Sequence, residues 1–234
     1  MRMLVTAGNT RERIDAVREW GNIFTGNTGF AIATALAEIG EVDLLTSNRA
    51  HLAQIQSHPR VHGSGFTSHA ELKGALEALL ARETYDAIFM SAAVADYKPE
   101  RVYAVLAREA ASGGEERWLV RDVQSGKVKS THSAIAVLGT QTEKIVDLFR
   151  STWNYRGLLV KFKLEVGISR EQLIEIGQTS RVASGAEYLV ANTLDMVEGP
   201  DAGAYLLSDA GHEWVPRSYL ATKMVELVKA RSSG

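Results

Sequence analysis

Met3-Leu4-Val5-Thr6-Ala7-Gly8-Asn9-Thr10-Arg11 is the stretch on which the fold turns. Residues 3–7 are short, mostly apolar and uncharged, and they run straight into a glycine. That is the pattern of a strand buried on both faces and released into a turn. Downstream, residues 28–39 have the periodicity of an amphipathic helix broken by Gly40, and residues 42–46 read as a second buried strand. Residues 70–81 place Leu72, Leu76, Leu79 and Leu80 at helical spacing, and residues 87–92 form a third apolar strand. Apolar strands separated by helical stretches of about 12 residues imply βαβ units and a parallel sheet.

The second half repeats the theme. Residues 158–162 and 187–191 are buried-strand patterns with a helix over 170–184 between them, and residues 144–149 are helical. Residues 204–208 and 213–216 predict a hairpin around Asp209-Ala210-Gly211, and a closing helix covers 219–229. Residues 97–133 are less regular, with a strand over 118–123 and a turn over 111–116. The expectation is a single α/β domain over 1–234. Its sheet is doubly wound and mostly parallel, with helices on both faces and an irregular central insertion.

Composition narrows the function. The 234 residues include no cysteine, so the chain by itself offers no disulfide, thiolate metal site or thiol nucleophile. This fits a reducing compartment. Twenty-six Lys and Arg against 28 Asp and Glu leave a net charge of −2, with no global field for nucleic acid or an anionic membrane. No apolar run approaches the roughly 18 residues of a transmembrane span, and no signal peptide is expected ahead of the first strand. A soluble, cytoplasmic protein without nucleic-acid or membrane partners is expected. His51, His58, His62, His69, His132 and His212 are scattered without metal-ligand spacing. They are read as surface positions, and no protein metal site is expected.

In an open parallel sheet, ligands bind beyond the carboxyl ends of the strands. At the first exit, Gly8 permits close backbone approach, Thr10 offers a hydroxyl and Arg11 can fork onto an anion; a plain turn with a solvated arginine is the alternative. Gly21-Asn22-Ile23-Phe24-Thr25-Gly26-Asn27-Thr28 has phosphate-loop spacing, but Asn27 stands where a Walker lysine would be. It leads into a helix whose free N–H groups can cradle phosphate oxygens. It also reads as a simple helix entry capped by Thr25 or Asn27. At the third exit, the small residues Ala92 and Ala93 admit a flat ligand, and Asp96 can accept bonds from a ribose, a base or a metal-bound water; Asp96 as a turn cap is the alternative. At the fourth, Phe162 can stack on a base or simply belong to the core.

Taken together and in order, these segments resemble the phosphopantothenate–cysteine ligase family. Residues 6–18, Thr-Ala-Gly-Asn-Thr-Arg-Glu-Arg-Ile-Asp-Ala-Val-Arg, are similar to its T-A-G-x-T-R-E-x-I-D-P-V-R opening. Arg18 precedes Asn22 by four, and Phe24-Thr25-Gly26-Asn27-Thr28-Gly29 stands where that family has S-S-G-x-x-G. Ala92-Ala93-Val94-Ala95-Asp96-Tyr97 matches A-A-V-A-D-Y. Lys127-Val128-Lys129 looks like K-I-K, Phe162-Lys163-Leu164-Glu165 like the eukaryotic F-K-L-E, and Val190-Ala191-Asn192 like V-A-N. The likeness spans about residues 3–195.

The resemblance implies a Rossmann-like domain that activates the carboxylate of 4′-phosphopantothenate with CTP or ATP and Mg2+. The acyl-nucleotidylate would then be coupled to the amine of cysteine in coenzyme A synthesis. It implies catalytic roles for Asn22, Lys127 and Arg18. It implies nucleotide or phosphate contacts for Gly8, Thr10, Arg11, Thr25, Gly26, Asn27, Ala92, Ala93, Asp96 and Phe162, and a homodimer formed partly through the central insertion. The chain departs from the pattern where Phe24-Thr25 replace the paired serines. Ser180 and Ser184 replace the K-x-x-x-K of CTP-using bacterial members, and Thr193 replaces an aspartate. CTP against ATP therefore stays open. A paralogue that binds a phosphorylated ligand but performs another ligation, or none, is the first alternative. A nicotinamide-dependent oxidoreductase is a weaker one, because G-x-G-x-x-G and Y-x-x-x-K are both absent.

Overall fold

The computed structural model describes residues 1–232. In chain order, β1 (Arg2–Ala7) leads into a short hairpin of β2 (Arg11–Arg13) and β3 (Glu19–Gly21), then α1 (Asn27–Leu36). There follow β4 (Glu41–Thr46), α2 (Arg49–Ile55), β5 (Val61–Gly65), α3 (His69–Leu80) and β6 (Ala87–Met90). An antiparallel arm of β7 (Tyr97–Ala110), β8 (Glu116–Asp122) and β9 (Ile135–Gln141) projects next. The chain returns with α4 (Ile145–Ser151), β10 (Leu158–Glu165), α5 (Arg170–Ser184) and β11 (Tyr188–Thr193), and ends in β12 (Gly203–Ser208), β13 (Gly211–Pro216) and α6 (Arg217–Ser232).

The main sheet has eight strands in the order β5-β4-β1-β6-β10-β11-β12-β13. The first six are parallel, and the final pair is antiparallel. The winding starts at β1 and runs outward through β4 and β5, then restarts at β6 and runs the other way. The order therefore reverses between β1 and β6, where their carboxyl ends part. Strand β1 supplies both layers of the core. Met3, Val5 and Ala7 pack in the layer of Ile32 and Leu36 from α1 and Leu220, Met224 and Val228 from α6. Leu4 packs in the layer of Leu72, Leu76 and Leu79 from α3 and Ile145 and Phe149 from α4. Helix α5 covers the far end through Leu173 against Leu189 and Leu207. All of these side chains are buried, which is why the parallel strands read as unbroken apolar runs.

The central insertion is more regular than expected: it holds three strands, and residues 123–134 are its one long stretch outside helix and strand. Residues 97–110 are one fourteen-residue strand paired with β8 on one side and β9 on the other. Its register shifts between Pro99 and Arg101 and again between Val105 and Ala107. Each bulge moves the alternation of faces by one residue and so erases a period of two. Strand β5 was missed because Val-His-Gly-Ser-Gly buries only its valine at the sheet edge. Helix α2 and the β2–β3 hairpin were also missed. Helix α1 begins one residue before the predicted start and ends at Leu36, followed by a turn.

Gly29 seats α1 on the sheet. A Cβ there would lie 2.2 Å from the Ser91 hydroxyl and 2.8 Å from the Thr6 carbonyl oxygen. Gly29→Ala is expected to lose about 1–3 kcal/mol by overpacking. Gly74, on an exposed face of α3 with nothing near its Cβ, should gain about 0.5–1 kcal/mol as alanine. Urea unfolding of the two variants side by side checks both signs.

Candidate functional site

The crevice where β1 and β6 part opens into a cleft of about 970 Å3. Its floor is made of two backbones in close approach. Gly8 leaves β1 with φ 83°, and Gly26 enters α1 in the left-handed region at φ 82°. A Cβ on Gly26 would sit 1.9 Å from the Gly8 nitrogen, so no side chain fits at this crossing. Helix α1 has no acidic residue in its first turn and no side-chain cap. Its first N–H groups have no intrahelical acceptor and carry the positive end of the helix dipole. The arrangement is suited to an anion.

The exits of β1 and β6 are stitched together by their main chains. Ala93 N–H donates to the Gly8 carbonyl at 2.9 Å, and Thr10 N–H donates to the Ala93 carbonyl at 3.1 Å. Thr10 is fully buried, and its hydroxyl accepts from Ala95 N–H at 2.7 Å. It braces the Ala92–Asp96 turn from behind and does not line the cleft. Asn22 does line it. Its Nδ2 donates to the Ala93 carbonyl at 3.2 Å, and its own carbonyl accepts from the Asn9 side-chain amide. Gly8, Thr25, Gly26, Asn27, Ala92, Ala93, Asp96 and Phe162 line the same cleft.

Besides Thr10, the expected residues Arg11, Arg18 and Lys127 lie off the cleft. Arg11 sits on β2, paired with Glu19 at 3.1 Å, in a second recess on the outer side of residues 23–25. Arg18 and Asp15 form a clamp. The Asp15 carboxylate accepts from Val17 N–H and Arg18 N–H, both at 2.9 Å, and from Val128 N–H at 3.2 Å. Arg18 Nη2 donates to the Val128 carbonyl at 3.0 Å. Val128 is 1% exposed, while Lys127 and Lys129 on either side of it are exposed. Lys127 is not among the residues lining the chain's own cleft. Backbone hydrogen bonds, led by that from Val17, hold the Asp15 carboxyl below its ordinary range.

His51 is the residue the sequence reading misplaced. It is 3% exposed and stacks on Phe30 of α1 with ring centroids 4.3 Å apart. Its Nδ1 meets the Thr46 hydroxyl at 3.3 Å and its Nε2 meets Asn27 Oδ1 at 3.2 Å. Neighbouring Asn48 donates to the Thr25 carbonyl at 3.1 Å. The turn after β4 thus holds the loop entering α1 from behind. An isolated histidine carries no motif signal, and the helix that presents it was itself missed.

Among the described residues, no group of three or more His, Cys, Asp or Glu side chains is placed to hold a metal ion. Nor is any helix there long and apolar enough to cross a membrane.

Fold and site together define a Rossmann-like α/β domain with a phosphate-loop type of cleft at its topological switch point. The comparisons with known proteins narrow this. Residues 1–114 match the family described as DNA/pantothenate metabolism flavoprotein C-terminal domain. The coenzyme A biosynthesis bifunctional protein CoaBC of Thermococcus kodakarensis is 30% identical over 194 residues, covering 82% of this chain and 41% of that protein. The DNA/pantothenate metabolism flavoprotein from Streptococcus pneumoniae superposes with a TM-score of 0.81 at 26% identity, over 99% of both chains. A Cab2 variant in complex with phosphopantothenate-cysteine shares the fold, with a TM-score of 0.67 at 13% identity over 100% of this chain and 89% of the other. The first half of the chain is thus similar to DNA/pantothenate metabolism flavoprotein C-terminal domains, and the whole chain shares the fold of the Streptococcus protein. The chain spans about two fifths of the length of the Thermococcus relative.

Burial lowers the pKa of His51, so the folded state favours the neutral ring. This preference favours folding fully above the unfolded value of about 6.5 and is lost as pH falls through the lower folded-state value. The melting temperature should drop between pH 7 and pH 5, and the drop should shrink in His51→Gln. Thermal scans at both pH values measure it.

Proposed function

We propose that the chain forms an amide between 4′-phosphopantothenate and cysteine at the expense of a nucleoside triphosphate. The observation that carries this reading is the position of Asn22. It is tied to both strand exits beside the glycine crossing, yet its Oδ1 has no hydrogen-bond partner among the described residues. An amide so placed can donate to an acyl carbonyl and accept from an amine, as the second half of the reaction requires. The sequence motifs and the coenzyme A biosynthesis name borne by the Thermococcus relative support the same substrates.

In the first step, a carboxylate oxygen of phosphopantothenate attacks the α-phosphorus, the bond to the β-phosphate bridging oxygen breaks and pyrophosphate leaves. The first N–H groups of α1 receive phosphate oxygens, with Gly8 and Gly26 allowing their approach. Phe162 and Asp96 flank the nucleoside. Bringing a carboxylate to a triphosphate joins like charges, so cations are needed around it. Lys127 is our candidate, its segment fixed by the Asp15–Arg18 clamp on Val128. A Mg2+ ion held by the triphosphate oxygens would supply further charge neutralisation, an ion that needs few ligands from the protein. In the second step, the cysteine amine attacks the acyl carbon, with Asn22 Oδ1 accepting an N–H, and the nucleoside monophosphate leaves.

Phe24 lining the cleft where the family has serine favours one second reading: a paralogue that binds nucleotide without this turnover. Incubation with 4′-phosphopantothenate, cysteine, magnesium and CTP or ATP should release pyrophosphate. Binding without release from either nucleotide overturns the ligase reading in favour of the paralogue. In Asn22→Asp, amide formation should fall by about 10²-fold or more while pyrophosphate is still released in the first turnover, as quenched-flow product analysis would show.

We further propose a homodimer seated on the arm, where Leu106, Trp118, Leu119 and Leu138 stand 45–62% exposed. Large apolar side chains exposed on an arm in this number mark an interaction surface. Light scattering should give twice the chain mass for the native protein and a monomer for Leu119→Glu.

A further inference from the structure

The cleft wall formed by β10 carries a cation that no counter-charge meets among the described residues. Lys161 stands opposite Met90, the last residue of β6, so β10 runs on past the cleft floor from Phe162 to Glu165. Lys161 is 8% exposed and lines the cleft. Its ammonium donates to the Ser180 carbonyl at 3.1 Å and to the Ser180 hydroxyl at 3.0 Å. Among the described residues it forms no ion pair. Burial lowers its pKa, and Asp147 opposes that shift only at longer range, while Lys144 and Lys163 add to it. An ammonium has three donors, and Ser180 receives two of them. A buried charge with neither a counter-charge nor a full set of acceptors is costly unless a ligand completes it.

The place of Lys161 in the sheet limits what that ligand is. Phosphate-binding backbone lies at β1 and the start of α1. Adjacent strands are about 4.8 Å apart, and β10 is the second strand from β1 in the order β1-β6-β10. The separation is thus roughly 10 Å, a span for a ribose and base and not for a neighbouring phosphate. Met90 and Val146 lie on the Lys161 face of the sheet, while Phe162, the next residue of β10, projects to the other face at the cleft, so apolar surface for a flat ring adjoins a polar group at one end.

We infer that Lys161, held by Ser180, donates to an acceptor on the edge of the nucleobase, a carbonyl oxygen or unprotonated ring nitrogen, and so helps to select the nucleotide. An ammonium offers no acceptor, so a base presenting an N–H at that edge meets donor with donor and is rejected. The inference rests on a nucleotide being the co-substrate and deepens the ligase reading.

Calorimetric titration of the full chain with ATP, CTP and inorganic tripolyphosphate tests it without turnover. Lys161→Met should weaken the preferred nucleotide by about tenfold and bring the two nucleotide affinities within about threefold of each other, with tripolyphosphate affinity unchanged. An unchanged ATP-to-CTP ratio in folded Lys161→Met overturns the inference. Equal weakening of tripolyphosphate also overturns it, since the lysine would then serve phosphates. Should Lys161→Met fail to fold by circular dichroism, Ser180→Ala gives the same reading: a shifted ratio supports the assignment and an unshifted one overturns it. Nucleotide binding that persists without pyrophosphate release defeats the ligase reading alone. Absence of any nucleotide binding defeats the assignment to Lys161.

Discussion

Everything in the cleft depends on the crossing of two backbones at Gly8 and Gly26. Neither position admits a Cβ: one would clash with Ser47, the other with Gly8 itself. Because the two chains touch directly, the start of α1 is brought down onto the end of β1, and its N–H groups face the crevice between β1 and β6. Gly29, one turn on, continues the contact down to Thr6 and Ser91. A glycine-lined helix entry of this kind is a way of delivering main-chain donors to a ligand with no side chain intervening.

The surroundings of the crossing are built to keep it still. Asn9 and Ser47 bond one another and tie the β1 exit to the β4 exit. Asn48 and His51 hold the loop before α1 from outside, through Thr25 and Asn27. Thr10 fixes the Ala92–Asp96 turn from within the core. The polar side chains at these strand exits thus divide into a facing set and a bracing set, and both kinds are polar or small in sequence. Thr10, Arg11 and Arg18, expected at the ligand from the sequence, have protein partners within the chain: Ala95, Glu19, Asp15 and Val128.

The doubly wound sheet was legible because strands buried on both faces leave continuous apolar runs, and helix α5 matches its predicted bounds, with a Ser169 capping box at its start. What stayed hidden has physical causes. Strand β7 alternates out of phase with itself at two bulges, β5 is an edge with one buried residue, and α2 is too short to show a period. In the site, ordered motifs brought Asn22, Gly26, Ala93 and Phe162 to one cleft. Lys161 and His51 left no trace, since their significance lies in burial, which a lone charged or aromatic residue does not announce.

Helix α1 has one further dependence. Its sheet-facing side chains Ile32, Ala33 and Leu36 share their layer with Leu220, Met224, Val225 and Val228 of α6. During synthesis, then, the helix that presents its donors to the cleft emerges before α6, and its apolar flank remains uncovered until residues nearly two hundred positions later leave the ribosome. A nascent chain halted before α6 would already possess the glycine crossing and lack the lid that keeps it in place. The cleft end of this domain is therefore made well before the helix that secures it.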